Sequence, residues 1–77
     1  MIPKVNVIET GKNIKKLMSE KNVTTPNIQF WCGLATVQPI YHWIRGRNLP
    51  TIDNLVILSA MFECSIEDIL VIEDGGQ

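Results

Sequence analysis

The sequence predicts an all-α domain: a five-helix bundle behind a short extended N-terminal arm. Apolar residues recur every three or four positions along most of the chain, and a Ser or Thr able to cap a helix precedes each such stretch. The 77 residues provide for one hydrophobic core. With 45% hydrophobic and 19% charged residues and no apolar run of about 18 residues, the chain has the composition of a globular domain, not of a membrane protein.

The first nine residues alternate loosely in polarity, which favours an extended arm (1–9) packing on the core. Thr10 is then expected to cap a first helix over residues 11–21, with Ile14, Leu17 and Met18 on one face. We expect residues 10–73 to form the helical domain and residues 74–77 a flexible tail.

The second helix is indicated by Thr25 before Pro26, a capping residue followed by proline at the first helical position. It should span about residues 26–32 and end at Gly33 in a left-handed cap. Its buried side is expected to carry Ile28, Trp31 and Cys32.

A third helix over about residues 37–45 should follow a cap at Thr36, with Pro39 in its first turn and Gly46 at its end. Helical spacing divides its side chains into two faces. The apolar face carries Val37, Ile40, Trp43 and Ile44, and the polar face carries Gln38, Tyr41, His42 and Arg45.

Two further helices complete the bundle. Asn48-Leu49-Pro50 interrupts the chain before Thr51, which is expected to cap a fourth helix with core candidates Leu55, Leu58, Ala60, Met61 and Phe62. Ser65-Ile66-Glu67-Asp68 resembles a capping box with Asp in place of Glu, opening a last helix through Ile69, Leu70 and Val71.

The polar face of helix three, preceded by a short helix and a tight turn, is typical of a helix-turn-helix. Gln can pair bidentately with adenine, and Arg can bind guanine or phosphate. The alternative is an ordinary solvated helix face. His42 alone indicates a surface histidine, because no nucleophile lies at a suitable spacing for catalysis.

Charge is divided along the chain although the net charge is −1. Residues 1–47 hold seven bases and two acids, a net charge of +5, whereas the remainder holds six acids and no base. The first part is expected to attract a polyanion. Cys32 and Cys64 stand apart among apolar neighbours, which favours reduced thiols in a cytoplasmic protein over a disulfide or a metal site.

From Gly11 to Val71 the sequence resembles the lambda-repressor-like, Xre-type helix-turn-helix domain. The resemblance rests on ordered segments: Gly33-Leu34 followed by Thr36, Ile40-Tyr41-His42-Trp43 with Gly46, Asn48 to Leu55, and Cys64 to Leu70. It implies a five-helix fold and sequence-specific binding of duplex DNA, usually as a homodimer, to regulate transcription.

The resemblance also implies site residues. Val37, Gln38 and His42 match positions that face base edges, with Tyr41 beside them, and Arg45 completes the polar stripe. The positions that match phosphate contacts are Thr24, Thr25, Thr36, Arg47 and Asn48.

Three positions depart from the family pattern. Met18 and Ile44 stand where many members pair Arg with Glu, and we predict that these side chains touch. Gln29 replaces a common small Ala, which leaves the approach of helices two and three open. Val37 replaces a residue that is often polar, so it could contact a thymine methyl or weaken the readout of sequence.

The leading hypothesis is therefore a small DNA-binding transcriptional regulator, in particular a repressor. An antitoxin or adaptor that binds a protein partner is the alternative, motivated by the acidic second half. Neither an enzyme, a cofactor nor a metal is expected, because no catalytic constellation assembles. Ile69 to Ile72 is the candidate dimer surface, unless this apolar run completes the core.

Overall fold

The computed structural model of the chain describes residues 1–76 and contains five α-helices and a two-stranded sheet. The helices are α1 (Val7–Glu20), α2 (Thr25–Cys32), α3 (Gln38–Ile44), α4 (Ile52–Phe62) and α5 (Ile66–Ile69). The strands are β1 (Pro3–Val5) and β2 (Ile72–Asp74). Gln77, the end of the expected flexible tail, lies outside the described residues. Within those residues, no helix is long and apolar enough to cross a membrane.

The core draws on every helix. Fully buried side chains come from Ile14 of α1, Ile28 of α2, Ile40 of α3, Leu58 and Phe62 of α4, and Ile69 of α5. Burying an aliphatic or aromatic side chain of this size contributes about 1.5–3 kcal/mol. The expectation of an all-α, five-helix bundle is confirmed.

Helix α1 begins at Val7, four residues before the expected start at residue 11, and Thr10 is not its cap. Asn6 caps it instead, because its side-chain oxygen accepts a hydrogen bond from the Glu9 amide at 2.9 Å. Position 11, inside the helix, requires glycine, because a Cβ there would collide with the carbonyl oxygen of Trp43 on α3. The glycine thus marks close packing of α1 on α3 rather than the start of a helix.

The extended part of the arm is correspondingly short. Only β1 is extended, and residues 7–9 are helical. β1 pairs antiparallel with β2 in the register Pro3↔Asp74, Lys4↔Glu73 and Val5↔Ile72. Asp74, expected in the flexible tail, is therefore in a strand, and the Gly75 amide donates to the Ile2 carbonyl at 2.6 Å. The two terminal segments, which the sequence pattern did not connect, thus pair through backbone hydrogen bonds.

Helix α5 ends at Ile69, earlier than the expected continuation through Leu70 and Val71. Leu70 has an extended conformation, and the Asn13 side-chain amide donates to the Asp68 and Ile69 carbonyls at 2.8 and 2.9 Å. These bonds satisfy carbonyl groups that continuation of the helix would have paired. The expected capping box between Ser65 and Asp68 is confirmed.

Two expected core residues are exposed. Trp31 retains 63% of its surface, and Ala60 is also exposed, whereas Trp43 is buried as expected. Trp31 lies at the edge of an eight-residue helix, where the small side chain of Ala60 on α4 leaves an open groove instead of a cover. Helical spacing placed Trp31 beside Ile28 but could not show that the neighbouring helix leaves it uncovered.

The two cysteines are free and half-buried, and both pack against the core. Burial raises the pKa of the Cys32 thiol. Burial is also the largest cause that raises the pKa of Cys64, with Asp68 acting in the same direction and Lys21 lowering it. Both groups therefore favour the neutral thiol over the thiolate.

Candidate nucleic-acid interface

Helix α2 is fixed at both ends by local hydrogen bonds. Its cap is Thr24, one residue before the expected Thr25, and Thr24 forms a capping box with Asn27. The amide of Asn27 donates to the Thr24 hydroxyl at 3.3 Å, and this hydroxyl donates to the Asn27 side-chain oxygen at 2.7 Å. Gly33 ends the helix with φ at +66°, which confirms the expected left-handed cap.

The turn from α2 to α3 is tied back to α2 by Gln29. Its backbone carbonyl accepts from the Leu34 amide at 3.0 Å, and its side-chain amide donates to the Ala35 carbonyl at 3.3 Å. The Gln29 side chain thus contacts the turn. This hydrogen bond fixes the segment that leads into α3.

Helix α3 spans Gln38–Ile44, one residue shorter at each end than expected. Thr36 accepts a hydrogen bond from the Gln38 amide at 3.3 Å, while Val37 occupies the cap position in a helical conformation. The inner face is held by Ile40, which is fully buried, and by Trp43, which is 4% exposed. These two buried side chains fix the orientation of the opposite, outer face of α3.

The outer face has the expected composition. Gln38, Tyr41 and Arg45 are exposed, whereas His42 is half-buried. The Arg45 guanidinium lies over the Tyr41 ring, 5.7 Å from its centroid. Such a cation–π contact leaves the guanidinium hydrogens free to bind a further acceptor.

A cleft of about 490 Å³ beside α3 brings together several of the expected site residues. Gln38 and His42 line it together with Thr36 from the turn and Asn48 from the segment after α3. Its far wall includes Thr51, which caps α4, and Asn54 in the first turn of α4, two residues that the sequence pattern did not assign to the site. The signal that could have identified them is this pair of polar residues at the start of α4, close in sequence to the end of α3. Among the described residues that line the cleft there is no carboxylate.

The other expected contacts lie outside this cleft. Thr24 and Thr25 lie at the start of α2, and Arg47 is exposed after the end of α3. The Arg47 amide donates to the His42 carbonyl at 2.9 Å, which fixes the backbone there. Within residues 1–76, none of the ion pairs involves Arg45 or Arg47. Both guanidinium groups are therefore open to an external anion.

Met18 and Ile44, predicted to touch, are both half-buried and pack against the same core. They lie on α1 and α3, which pack together in the region of Gly11. Direct contact between the two side chains stays a prediction.

No protein-family model and no curated protein matches the chain significantly. Among solved structures, the chain is similar to the restriction-modification controller protein C.AhdI from Aeromonas hydrophila, with a TM-score of 0.70 and 16% sequence identity. The similarity covers 82% of this chain and 94% of that chain. This similarity shows that the chain shares the fold of that protein, in which α2, the turn at Gly33 and α3 follow one another as a helix, a turn and a helix.

Proposed function

We propose that this protein binds duplex DNA in a sequence-specific manner through α3 and thereby regulates transcription. The observation that carries the proposal is the outer face of α3, where Gln38, Tyr41 and Arg45 project together while Ile40 and Trp43 anchor the opposite face. An α-helix of this kind fits the major groove, where each base pair presents a distinct pattern of donors and acceptors.

The polar side chains divide into two roles. Gln38, His42 and Arg45 supply donors and acceptors for base edges, Tyr41 orients Arg45, and Val37 offers an apolar contact to a thymine methyl. The residues proposed to contact phosphates are Thr24, Thr25, Thr36, Arg47 and Asn48. These lie before α2, at its start, in the turn, and after α3, so they flank the reading helix on both sides.

The structural neighbour supports a regulatory role. C.AhdI is described as a controller protein of a restriction-modification system, and the present chain shares its fold. We propose repression as the mode of action, because a small domain bound across a promoter blocks polymerase sterically without any further contact.

Duplex DNA is best read by two copies of such a domain, whose recognition helices would bind half-sites about 34 Å apart. The Ile69 to Ile72 surface offers less apolar area than its sequence suggests. Ile69 is fully buried in the core, and Ile72 is 51% exposed. A homodimer formed on DNA, with the two copies held by their half-sites, fits this small surface.

A selection from random-sequence duplexes followed by a band-shift assay tests the proposal. We expect one enriched sequence with two-fold symmetry, and an affinity that falls steeply as the salt concentration rises, because phosphate contacts release counterions. No retardation of any duplex, even at low salt, would contradict DNA binding.

A second candidate function is that of an adaptor or antitoxin that binds a protein. The observation that favours it is a pair of exposed aromatic side chains on α2, Phe30 at 76% and Trp31 at 63% exposure. Aromatic residues of this type are enriched at the centres of protein interfaces. The two functions are compatible if they use different faces.

A further inference from the structure

An apolar groove of about 600 Å³ runs between α2 and α4. Trp31 forms one wall, and Val56, Ile57, Ala60 and Met61 of α4 form much of the other. Val56 and Ala60 are four residues apart and both are exposed, so they continue one face of α4 that begins at the exposed Ile52. The groove is thus a surface of apolar side chains that no part of residues 1–76 covers.

The aromatic side chains beside the groove form a fixed pair. Phe30 packs edge-on against Trp31, with ring centroids 5.5 Å apart and an interplanar angle of 89°. Exposing two large aromatic rings to water is unfavourable, because each could bury about 150–250 Å². A contiguous exposed apolar patch on a small protein marks an interaction site.

The charges near the groove restrict what can bind it. Residues 22–44, which include all of α2, contain no Asp, Glu, Lys or Arg. On α4 the charge is Asp53 in the first turn, which belongs to none of the ion pairs within residues 1–76. Glu63 follows the other end of α4 and, like Asp53, belongs to none of the ion pairs within residues 1–76. The side chains that line the groove are therefore uncharged, and an acid lies beyond each end of its α4 wall.

The groove does not overlap the proposed DNA-binding face. Trp31 and Gln29 are two positions apart on α2, so they point about 200° from each other around the helix. Gln29 contacts the turn to α3, whereas Trp31 faces α4. A molecule bound in the groove would leave the outer face of α3 open.

We propose that this groove binds an amphipathic helix of another protein, with an apolar stripe along its length and a Lys or Arg beside Asp53. A helix laid in a groove buries side chains at positions i, i+3, i+4 and i+7, a length of about 10.5 Å, close to the roughly 12 Å from Ile52 to Ala60 along α4.

A second copy of the chain fits this surface less well. Two-fold packing of α4 on α4 would place Asp53 against residues 22–44 and 48–77 of the other copy, which contain no Lys or Arg. The acid would then have no basic partner across the interface.

Two synthetic helical peptides with the same stripe of leucines, one with Lys and one with Glu at both ends, test the proposal. Each is titrated into the full chain while the two indole N–H signals are followed by NMR. We expect the Lys-flanked peptide to shift the Trp31 signal saturably and to leave that of the buried Trp43 in place. The Glu-flanked peptide should bind several-fold more weakly, and Asp53→Asn should reduce that preference.

Matched variants identify the surface. Val56 and Ile72 have nearly the same exposure, 52% and 51%, but Val56 on α4 lines the groove and Ile72 on β2 does not. Val56→Asp should weaken binding of the Lys-flanked peptide at least about tenfold, while Ile72→Asp should not change it; circular dichroism checks that both variants remain folded.

Three results would overturn the proposal: no saturable shift of Trp31 at millimolar peptide, equal effects of the two variants, or a dimer in sedimentation that Val56→Asp dissociates. Loss of DNA binding in the selection experiment would leave this inference intact, because the two surfaces are separate.

Discussion

At the scale of single residues, Thr10 joins the helical bundle to the C-terminal segment. It has no exposed surface, and its hydroxyl accepts a hydrogen bond from the Val71 amide at 2.9 Å. The sequence suggests a helix cap at this position, whereas the structure makes it the buried acceptor for a neighbouring chain segment.

Thr10→Val is expected to lower the free energy of unfolding by about 1–3 kcal/mol, because the variant keeps the shape but leaves the Val71 amide without its acceptor. Urea denaturation measures the change. The same substitution at Thr25, which is not fully buried, should cost less than about 0.5 kcal/mol. Equal losses at both positions would mean that the Thr10 hydrogen bond is not responsible.

Gln38 and Arg47 should contribute to DNA binding in different ways. Gln38→Ala is expected to cost about 1–3 kcal/mol on the preferred duplex and to relax the choice of base at one position, because it removes a contact to a base edge. Arg47→Ala should weaken binding to all duplexes alike and reduce the dependence on salt. Band-shift titrations on preferred and scrambled duplexes measure both, and an equal loss on every sequence for Gln38→Ala would exclude its reading role.

The raised pKa of Cys32 predicts a loss of stability in alkali. The folded state disfavours the Cys32 thiolate, because burial raises the pKa of this thiol. The resulting contribution to the free energy of unfolding is fully present below the ordinary thiol pKa of about 8.5 and is lost as the pH rises from there through the raised pKa of the folded state. The free energy of unfolding should therefore fall between pH 8 and pH 10 more in the wild type than in Cys32→Ala. Parallel pH profiles for the two proteins would contradict this prediction.

At the scale of secondary-structure elements, the ends of the helices determine how α3 is presented. Gly33 and Gly46 both have positive φ, +66° and +74°, and they end α2 and the turn after α3. Their surroundings differ. A Cβ on Gly33 would meet no atom within 4 Å, whereas one on Gly46 would lie 2.7 Å from the Cα of Ile8.

Gly33→Ala is expected to cost about 1–2 kcal/mol, the penalty of a left-handed conformation alone. Gly46→Ala should cost clearly more, because the conformational penalty is joined by a collision with the backbone of α1. Thermal unfolding followed by circular dichroism compares the two variants. Equal losses would show that α1 moves away from Gly46 easily.

At the scale of the whole molecule, the ribbon of β1 and β2 joins the two ends of the chain beside the bundle. Asn6 links it to α1, since it caps that helix and its side-chain amide donates to Glu73 at 2.7 Å. Every fully buried large side chain lies between Thr10 and Ile69, so the ribbon is an addition to a core that is complete without it.

Deletion of residues 1–5 is therefore expected to lower the melting temperature by about 4–8 °C, the equivalent of roughly 1 kcal/mol in a domain of this size, without unfolding the bundle. Lys4→Ala should change it little, because the Lys4–Glu73 pair is exposed and 3.9 Å long. Collapse of the helical signal at 25 °C after the deletion would show that the ribbon is essential to the fold.

The sequence by itself determined the number and order of the helices and the polar outer face of α3. Caps at Thr51 and Ser65, the left-handed Gly33 and the two faces of α3 follow from local chemistry, in which a side chain bonds the backbone three residues away or a helix repeats every 3.6 residues. Such short-range interactions involve neighbours in the chain, so they can be inferred without knowledge of the fold.

Only the tertiary structure decided which residues meet across the chain. The need for glycine at position 11 depends on Trp43 approaching α1, the ordered C-terminal segment depends on β1, and the exposure of Trp31 depends on a small residue on α4. Helical spacing gives the direction of each side chain but not what lies opposite it, because that is set by the packing of segments distant in sequence. The cleft that gathers Gln38, His42, Thr36 and Asn48 exists for the same reason.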